Sequence, residues 1–567
     1  MNENIDNSID SLTKQNIANA LWMQEYDESK IPKDILEKIH SDKNSNVSYA
    51  KRYKERLTQM MDNQLSFVEP RKNRYKFIMD NADSLSPQAC YTTNLLLGPE
   101  SVTGYKPISL NPSFTQPAID APQLDNQVGW HFFVGNFKDE HNNHYSVELM
   151  FWLYAQLPPQ IATSLGLSDI ENQTLEMHLS ICDPQKQKQY RATTSVVAGT
   201  TGLVSFESQP YSYKMGKNSI QGQNPNGDLF PVTLTACAYD MSDEKNVEEI
   251  KIDISLDDTK GIFLEGDEGC SPSVDGVGTL YYSSSLLKLQ SGVDSTITFG
   301  GKTINLKEGS MWYDHQWGTG FMPSGAPKHA VMRAVQNLTK ASPGGWDWFM
   351  FQFHENDKIV KGQEVQITLS ALHTNDNLKF YFQTGPKPPE TMTANCAGKY
   401  IGPVTTGDIK EPVKIFPVTG VMQVTKWVKV NASPNPAVYP ATDTWYPAEY
   451  QFLLDGEIPE AIISFKATPL IASGQTGFFG NGLQYTEGGT VITDAYGNEI
   501  GRGFAEGTNW ANCNKGIVAL AGLPVNDETI GFLKPPAVTE AMKLLSEAEV
   551  VLKAKELKKI IAESKGM

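Results

Sequence analysis

The sequence predicts a mainly β protein built from antiparallel sandwiches or barrels, and three observations carry that prediction. Gly and Pro are plentiful, 45 and 33 in 567 residues, as in turn-rich β proteins. Short strand-like runs recur along the middle of the chain, among them Val232–Tyr239, Ile250–Leu256 and Val365–Ala371, while helical patterns are few. No fixed-period repeat is visible, which disfavours propellers and solenoids. Length alone suggests two to four domains.

Taken in order, residues 1–97 read as a helical extension. Tyr49, Tyr53, Leu57, Met60, Met61 and Leu65 fall every three or four positions and make one apolar stripe, with Asn46 or Ser48 as its cap and Pro70 as its end. Residues 98–127 are a Pro-rich linker carrying Pro107, Pro112, Pro117 and Pro122, which wraps over or leads into the next domain. Two β domains follow, 128–330 and 331–530. In the first, Trp130–Gly135 and His144–Tyr154 flank a polar turn and read as a hairpin, followed by runs at Leu175–Ile181 and Leu203–Phe206. In the second, strands are expected at Leu378–Phe382, Val421–Val430, Tyr450–Leu454 and Ile462–Phe465. Residues 531–567 read as a C-terminal helix capped by Thr539, with Leu544, Leu545, Val551 and Leu552 on one stripe and lysines near its end, where the helix dipole favours cations.

The net charge of −17, with no basic stretch interleaved with aromatics, argues against a nucleic-acid partner. The first residues lack the basic and apolar regions of a secretory signal, and no apolar run approaches the roughly 20 residues of an integral membrane segment. The six cysteines form no Cys-x-x-Cys pair and read as buried thiols of a reducing compartment, so the cytoplasm is the expected location. The oligomeric state has no signature in the sequence.

Chemistry concentrates in Gly309-Ser-Met-Trp-Tyr-Asp-His-Gln-Trp-Gly318 and in Gly344-Gly-Trp-Asp-Trp-Phe-Met-Phe-Gln-Phe353, which together hold four of the ten Trp. Aromatic walls with a few titratable groups suit a pocket for an apolar small molecule. Strand alternation puts Trp312, Asp314 and Gln316 on one face and Tyr313, His315 and Trp317 on the other. It likewise separates Trp346, Trp348, Met350 and Gln352 from Asp347, Phe349, Phe351 and Phe353. Two environments fit Asp347. In line with three Phe it would be desolvated, neutral and able to donate a proton; beside Gly344-Gly345 it would sit in water.

Other chemistries lack their motifs. Asp314 and His315, adjacent on a strand, cannot easily grip one ion, and His141, His144, His329 and His354 could join a metal site only by coincidence of folding, so no metal is expected. There is no Gly-x-Ser-x-Gly elbow, no Gly-x-Gly-x-x-Gly after a strand and no Walker A sequence, so neither a serine hydrolase nor a nucleotide cofactor is expected.

These residues resemble the carotenoid 1,2-hydratase (hydroxyneurosporene synthase) and AttH-like superfamily, which embraces kievitone hydratase and decalin-forming Diels–Alderases. The matching pieces, in order, are Gly129-Trp-His-Phe-Phe-Val-Gly135, Leu264-Glu-Gly-Asp-Glu-Gly269, Tyr281-Tyr-Ser283, Gly309–Gly318, Trp445-Tyr-Pro447, Tyr485-Thr-Glu-Gly488 and Gly503-Phe-Ala-Glu506. The stretch at 309–318 is close to the group's Trp-aromatic-Asp-(His/Arg)-Gln-Trp-Gly signature, while Trp130-His131 and Tyr485-Thr486 depart from the more common Trp-Trp and Tyr-Trp. The resemblance spans roughly residues 125–525 and implies two lipocalin-like β-barrel or sandwich domains with a ligand pocket in or between them. It implies no cofactor, and a terpenoid, carotenoid or other polyene substrate.

By the same resemblance, a His-x-Trp and a downstream carboxylate map onto His315, Trp317 and Asp347, with Asp314 joining them as a candidate catalytic residue. Trp312, Tyr313, Trp317, Trp346, Trp348, Phe349, Phe351, Tyr485 and Glu487 are the candidate substrate-binding residues. Alkene hydration needs a strong acid and a stabilised carbocation; Asp347 would give the proton, aromatic faces would stabilise the cation by about 2 kcal/mol, and His315 would position water. The expected function is therefore a cofactor-independent hydratase or protonation-initiated cyclase. A Diels–Alderase acting by folding its substrate and a non-catalytic lipophilic carrier are the alternatives.

Overall fold

The structure is a computed structural model that describes residues 105–508, apart from 110–111, 156–158, 160–167, 199–203, 241–247, 271–277, 320–344, 355–363, 374–391, 403–412, 431–443, 474–475 and 479–483. The helices expected within 1–97 and 531–567, and the strand expected at Leu378–Phe382, lie outside the described residues. No described helix is long and apolar enough to cross a membrane.

Thirteen strands form the first sheet: β1 (Val128–Asp139), β2 (His144–Ala155), β3 (Gln173–Asp183), β4 (Lys188–Val197), β5 (Val204–Ser208), β6 (Tyr211–Met215), β7 (Asn218–Gly222), β8 (Val232–Asp240), β9 (Glu248–Asp258), β10 (Ile262–Leu264), β11 (Gly278–Leu289), β12 (Thr296–Phe299) and β13 (Lys302–Thr319). The order is β4-β3-β2-β1-β13-β11-β9-β8-β7-β6-β5, with β10 on β11 and β12 pairing β13 and β9. Alternation drives its strands. In β8, Val232, Leu234, Ala236 and Ala238 are buried and the residues between them are half-exposed. The sheet curls, so that distant strands meet across its concave side: Tyr145 of β2 and Tyr190 of β4 pack on Phe299 of β12, at 5.6 and 5.0 Å. Phe151 of β2 lies edge-on to Tyr213 of β6.

The described part of the Pro-rich linker is part of this core. Ile108 and Ile119 are buried in it, and a single turn at Ala118–Asp120 carries Asp120 completely out of water. Prolines remove the amides a strand would need, so the segment wraps the sheet and is tied by side chains: Asn126 Nδ2 donates to Lys106 O at 3.0 Å and Tyr105 OH to Ala155 O at 3.3 Å.

Nine strands form the second sheet: β14 (Gly345–Phe353), β15 (Val365–His373), β16 (Met392–Ile401), β17 (Ile415–Val430), β18 (Thr444–Asp455), β19 (Ser464–Pro469), β20 (Thr476–Phe478), β21 (Gln484–Thr493) and β22 (Glu499–Thr508). The order is β19-β18-β17-β16-β15-β14-β22-β21-β20, and β19 also pairs with β21. That pairing closes all but β20 into an antiparallel barrel, which removes the unpaired edges of an open sheet. Its interior holds a ladder of rings: Phe349 and Phe351 of β14 meet Phe452 edge-on at 4.9 and 5.2 Å, and Phe351 and Phe353 meet Phe465 at 5.2 and 5.3 Å.

Sheet and barrel press flank to flank. The convex face of β2, β1, β13 and β11 lies against the outside of β21, β22, β14 and β15. One glycine permits this closeness: Gly489 of the barrel faces Ser146 of the first sheet, whose Cβ would be 2.6 Å from any added Cβ. Side chains sew the seam: Asn136 Nδ2 donates to Gly503 O (3.2 Å), Ser310 Oγ to Gln352 Oε1 (2.7 Å) and Gln352 Nε2 to Ser285 O (2.8 Å). Lys260 Nζ, from the first sheet, is held by the carbonyls of Glu364 (2.9 Å) and Gly402 (2.7 Å).

The ring ladder makes Phe351 a sensitive core position. Phe351→Ala should cost about 3–5 kcal/mol in denaturant unfolding, against less than about 0.5 kcal/mol for Leu453→Ala, which is 59% exposed. A loss at Phe351 no larger than at Leu453 would contradict the packed interior.

Candidate active site

Outward-facing residues of the first sheet repeat in register along neighbouring strands. Glu148 lies opposite Ser180, Met150 opposite His178, Trp152 opposite Glu176 and Trp130, and Asp314 opposite Phe132 and Ser283. On a lone domain these groups would meet water. Here the barrel covers them with Tyr485 and Glu487 of β21, Glu506 of β22 and Trp348 of β14, which share its outer face because Glu487 pairs with Glu506 and Glu506 with Trp348. Glu148, Glu176, Glu265, Asp314 and Glu487 are all at most 5% exposed. Carboxylates are almost never buried unless paired, so this seam sets the chemistry.

One half of the seam is a hydrogen-bonded chain. Tyr485 OH donates to Glu148 Oε1 at 2.8 Å, and His178 Nδ1 lies 2.6 Å from the same hydroxyl oxygen. With the phenol proton directed at Glu148, His178 must carry its proton on Nδ1 and donate it to Tyr485. Its Nε2 then faces Glu176 Oε2 at 3.5 Å. Burial holds Glu148 above the ordinary carboxylate range and the Tyr485 phenol well above its usual value. Beside this chain, neither carboxyl oxygen of Glu487 has a hydrogen-bond partner among the described residues. Burial first, then the charges of Glu148 and Glu506, raises its pKa well above the usual value and favours its neutral form.

The other half surrounds Asp314. Trp312 Nε1 donates to Asp314 Oδ1 at 2.7 Å and Ser283 Oγ donates to the same oxygen. Burial raises Asp314 to about 6 against these donors. Ser283 Oγ also lies 3.2 Å from Glu265 Oε1. A hydroxyl has one proton, so Ser283 donates to only one of these two carboxyls at a time. Burial and then Asp314 push the Glu265 pKa up to about 8, with Lys399 and the Ser283 hydroxyl opposing. Half-buried aromatics flank the two halves: Trp130, stacked on Trp152 at 4.5 Å, and Trp348, edge-on to Tyr281 at 6.1 Å.

A second polar cluster lies inside the first sheet. Tyr282 OH donates to Asp120 Oδ1, and His131 Nε2 lies 2.9 Å from the Asp120 carbonyl oxygen and 3.0 Å from Tyr211 OH. His131 stacks on His315 at 3.9 Å, and His315 Nδ1 is 2.8 Å from Trp130 O. Burial lowers His315 to about 4 and holds His131 well below its usual value, with His315 adding to the depression, while it raises Asp120 to about 6. Trp317 packs on His315 at 4.7 Å and on Phe114 at 6.0 Å.

The candidates read from the sequence thus fall into three compartments. Trp312, Asp314, Trp348, Tyr485 and Glu487 meet at the seam. Tyr313, His315 and Trp317 point into the first sheet. Asp347, Phe349 and Phe351 point into the barrel, where Asp347 is fully buried and its charge acts on Tyr450. The side chain of Trp346 lies outside the described residues. His315 and Asp347 therefore do not address one ligand from one wall. They face away from the seam on opposite sides, because odd-numbered residues of β13 and β14 both point inward.

Glu148, Glu176, His178, Glu265 and Asp120 were missed as site residues. Glu148 had a signal, an acid alternating with Met150 and Trp152 in an apolar strand; Asp120, in a Pro-rich stretch without periodicity, had none. Among the described residues no three His, Cys, Asp or Glu side chains are grouped to hold a metal ion.

Fold and site together define a two-body antiparallel β protein with an acid-lined seam. Residues 109–363, which cover the whole first sheet and β14, match the family model described as AttH-like. Two solved structures are similar. An AttH-type protein of Nitrosomonas europaea shares 16% identity at a TM-score of 0.45, covering 71% of this chain and 99% of its own. Kievitone hydratase of Nectria haematococca shares 14% at a TM-score of 0.40, covering 71% and 95%. A comparison with curated protein sequences gives no match.

The raised acids fix a pH dependence. Glu265 moves from 4.5 to about 8 on folding, so between these values the folded protein keeps a proton that the unfolded chain has released. Its stabilising contribution is complete below pH 4.5 and is lost as pH rises through 8. Urea unfolding at pH 6, 7 and 8 should show stability falling with pH, by at most about 1.4 kcal/mol per unit from one group, and Glu265→Gln should flatten that fall. Parallel profiles for the two proteins would remove the proton from Glu265.

Proposed function

We propose that this protein is an acid/base enzyme of the hydratase type, acting on an apolar, unsaturated substrate at the seam between sheet and barrel. The observation that carries this reading is Glu487, a buried carboxylic acid without a hydrogen-bond partner among the described residues, next to the Glu148–Tyr485–His178–Glu176 chain. A carboxyl group kept neutral by its surroundings is the form of acid that can protonate carbon near pH 7. The AttH-like match over residues 109–363 agrees with a hydratase-type enzyme.

In this reading Glu487 delivers its proton to one alkene carbon and leaves a carbocation on the other. The faces of Trp130, Trp348 and Tyr281 stabilise that cation, each by up to about 2 kcal/mol when desolvated. Water adds to the cation, and the proton it sheds returns to Glu487 directly or through Tyr485 and Glu148, so the site is restored with no net proton change. An isoprenoid or polyene chain is the substrate class that suits half-buried aromatic walls, and capture of the cation by a second alkene would give cyclisation. No metal or nucleotide has a role in these steps; activity should survive exhaustive EDTA treatment and dialysis, and loss restored only by a divalent ion would contradict it.

Asp347, the donor expected from sequence, is the internal control. Incubation with a panel of isoprenoid and polyene alkenes in deuterium oxide reads proton delivery to carbon directly. Glu487→Gln should lower deuterium incorporation by at least about a hundredfold, with Asp347→Asn retaining most of it. The opposite ranking would move the donor into the barrel. Turnover unaffected by either change but lost in Trp348→Ala would favour a pericyclase acting by substrate folding, and ligand binding without turnover would favour a carrier.

A further inference from the structure

A buried acid comes to equilibrium with solvent only through a group that reaches both. The inner chain beside Glu487 has no such group, because Glu148, Tyr485, His178 and Glu176 are all buried. Four ionisable neighbours act on Glu487: Glu148, Glu506, Cys182 and Asp314. Glu148, Cys182 and Asp314 are at most 5% exposed, whereas the side chain of Glu506 is partly exposed. Among the described residues, Glu506 is thus the one of these four neighbours that reaches water. A proton shed inside the seam returns to Glu487, but one lost to solvent has to be replaced from water.

Strand register sets the geometry of that replacement. Glu506 of β22 lies directly opposite Glu487 of β21. Directly opposed residues of an antiparallel pair point to the same face with Cβ atoms about 4.5–5.5 Å apart, so the two side chains can swing their carboxyls into contact. The charge of Glu506 also acts on the Tyr485 phenol, which lies on the same face. On its other flank Glu506 pairs with Trp348, whose indole is itself partly exposed. Two carboxyls this close do not both ionise without cost, and the better hydrated one ionises first. The proton therefore rests on buried Glu487, and one taken up from water by Glu506 runs inward.

We propose that Glu506 is the proton relay between solvent and Glu487. Its role rests on Glu487 being the acid of the seam. Hydronium protonates the Glu506 carboxylate and leaves as water. The Glu506 O–H bond then breaks as its proton forms an O–H bond with the Glu487 carboxylate, which leaves Glu506 ionised and Glu487 neutral. One proton enters the seam, and no other group changes its charge. Glu506 touches no reacting carbon and acts through Glu487 alone.

Hydrogen–deuterium exchange at the Glu487 carboxyl tests the relay on the full-length protein without a substrate. After rapid transfer into deuterium oxide in mildly acid buffer, the carbonyl stretch of a protonated carboxyl shifts as O–H becomes O–D. Glu487→Gln identifies the band that belongs to Glu487. Glu506→Gln should slow its shift by about a hundredfold or more, and Glu506→Asp, which keeps a carboxyl, should restore fast exchange. A purely structural role would not produce that rescue, since Gln matches the shape of Glu more closely than Asp does. Equal exchange rates with and without the Glu506 carboxyl would overturn the relay and leave Glu487 as the acid. Slowing by Tyr485→Phe in place of Glu506→Gln would route the proton along the inner chain and overturn it as well. Absence of a Glu487 acid band would remove the acid itself, and the relay with it.

Discussion

Five carboxyl groups with almost no access to water are the constraint around which this molecule is arranged. An ionised carboxylate in such surroundings costs several kcal/mol unless donors surround it, and a neutral one avoids the cost by keeping its proton. Both solutions occur along one seam. Asp314 has Trp312 and Ser283 as donors; burial and neighbouring carboxylates push Glu265 and Glu487 toward the protonated form. The division follows from geometry. Asp314 sits two residues from an indole on its own strand and opposite a serine on the next, whereas Glu487 projects from a barrel wall and has no hydrogen-bond donor among the described residues.

That seam exists because two independent cores are each satisfied elsewhere. The first sheet curls around its aliphatic and tyrosine interior, and the barrel fills with phenylalanine rings, so neither requires the convex faces for its own stability. Those faces can therefore carry polar groups, and their contact takes the groups out of water. Small residues at the closest approach, Gly489 against Ser146, let the faces meet without a gap. Acid strength is thus a property of the assembled pair and of neither half alone.

Much of this was legible in alternation. The split of Trp312 and Asp314 from Tyr313, His315 and Trp317, and of Trp348 from Asp347, Phe349 and Phe351, follows from the two-residue period of a strand and is the arrangement observed. What alternation lacks is the identity of the compartment behind each face. The Asp347 face, read from three neighbouring Phe as a ligand pocket wall, is lined in the structure by further rings from Phe452 and Phe465, which come from strands a hundred residues away. Glu148 and His178 acquire meaning only from Tyr485, more than 300 positions distant, so no local pattern could single them out. Asp120 was hidden for a different reason: prolines erase periodicity, and the turn that buries it is shaped by the sheet it plugs.

The chemistry of the seam depends on whether Glu487 holds its proton. Infrared difference spectroscopy between pH 5 and pH 8, comparing the protein with Glu487→Gln, observes protonated carboxyl groups directly through their carbonyl stretch. A carboxylic-acid band should persist through pH 7 and disappear in the Gln variant. An identical spectrum from both proteins at pH 7, with that carboxyl ionised, would contradict it.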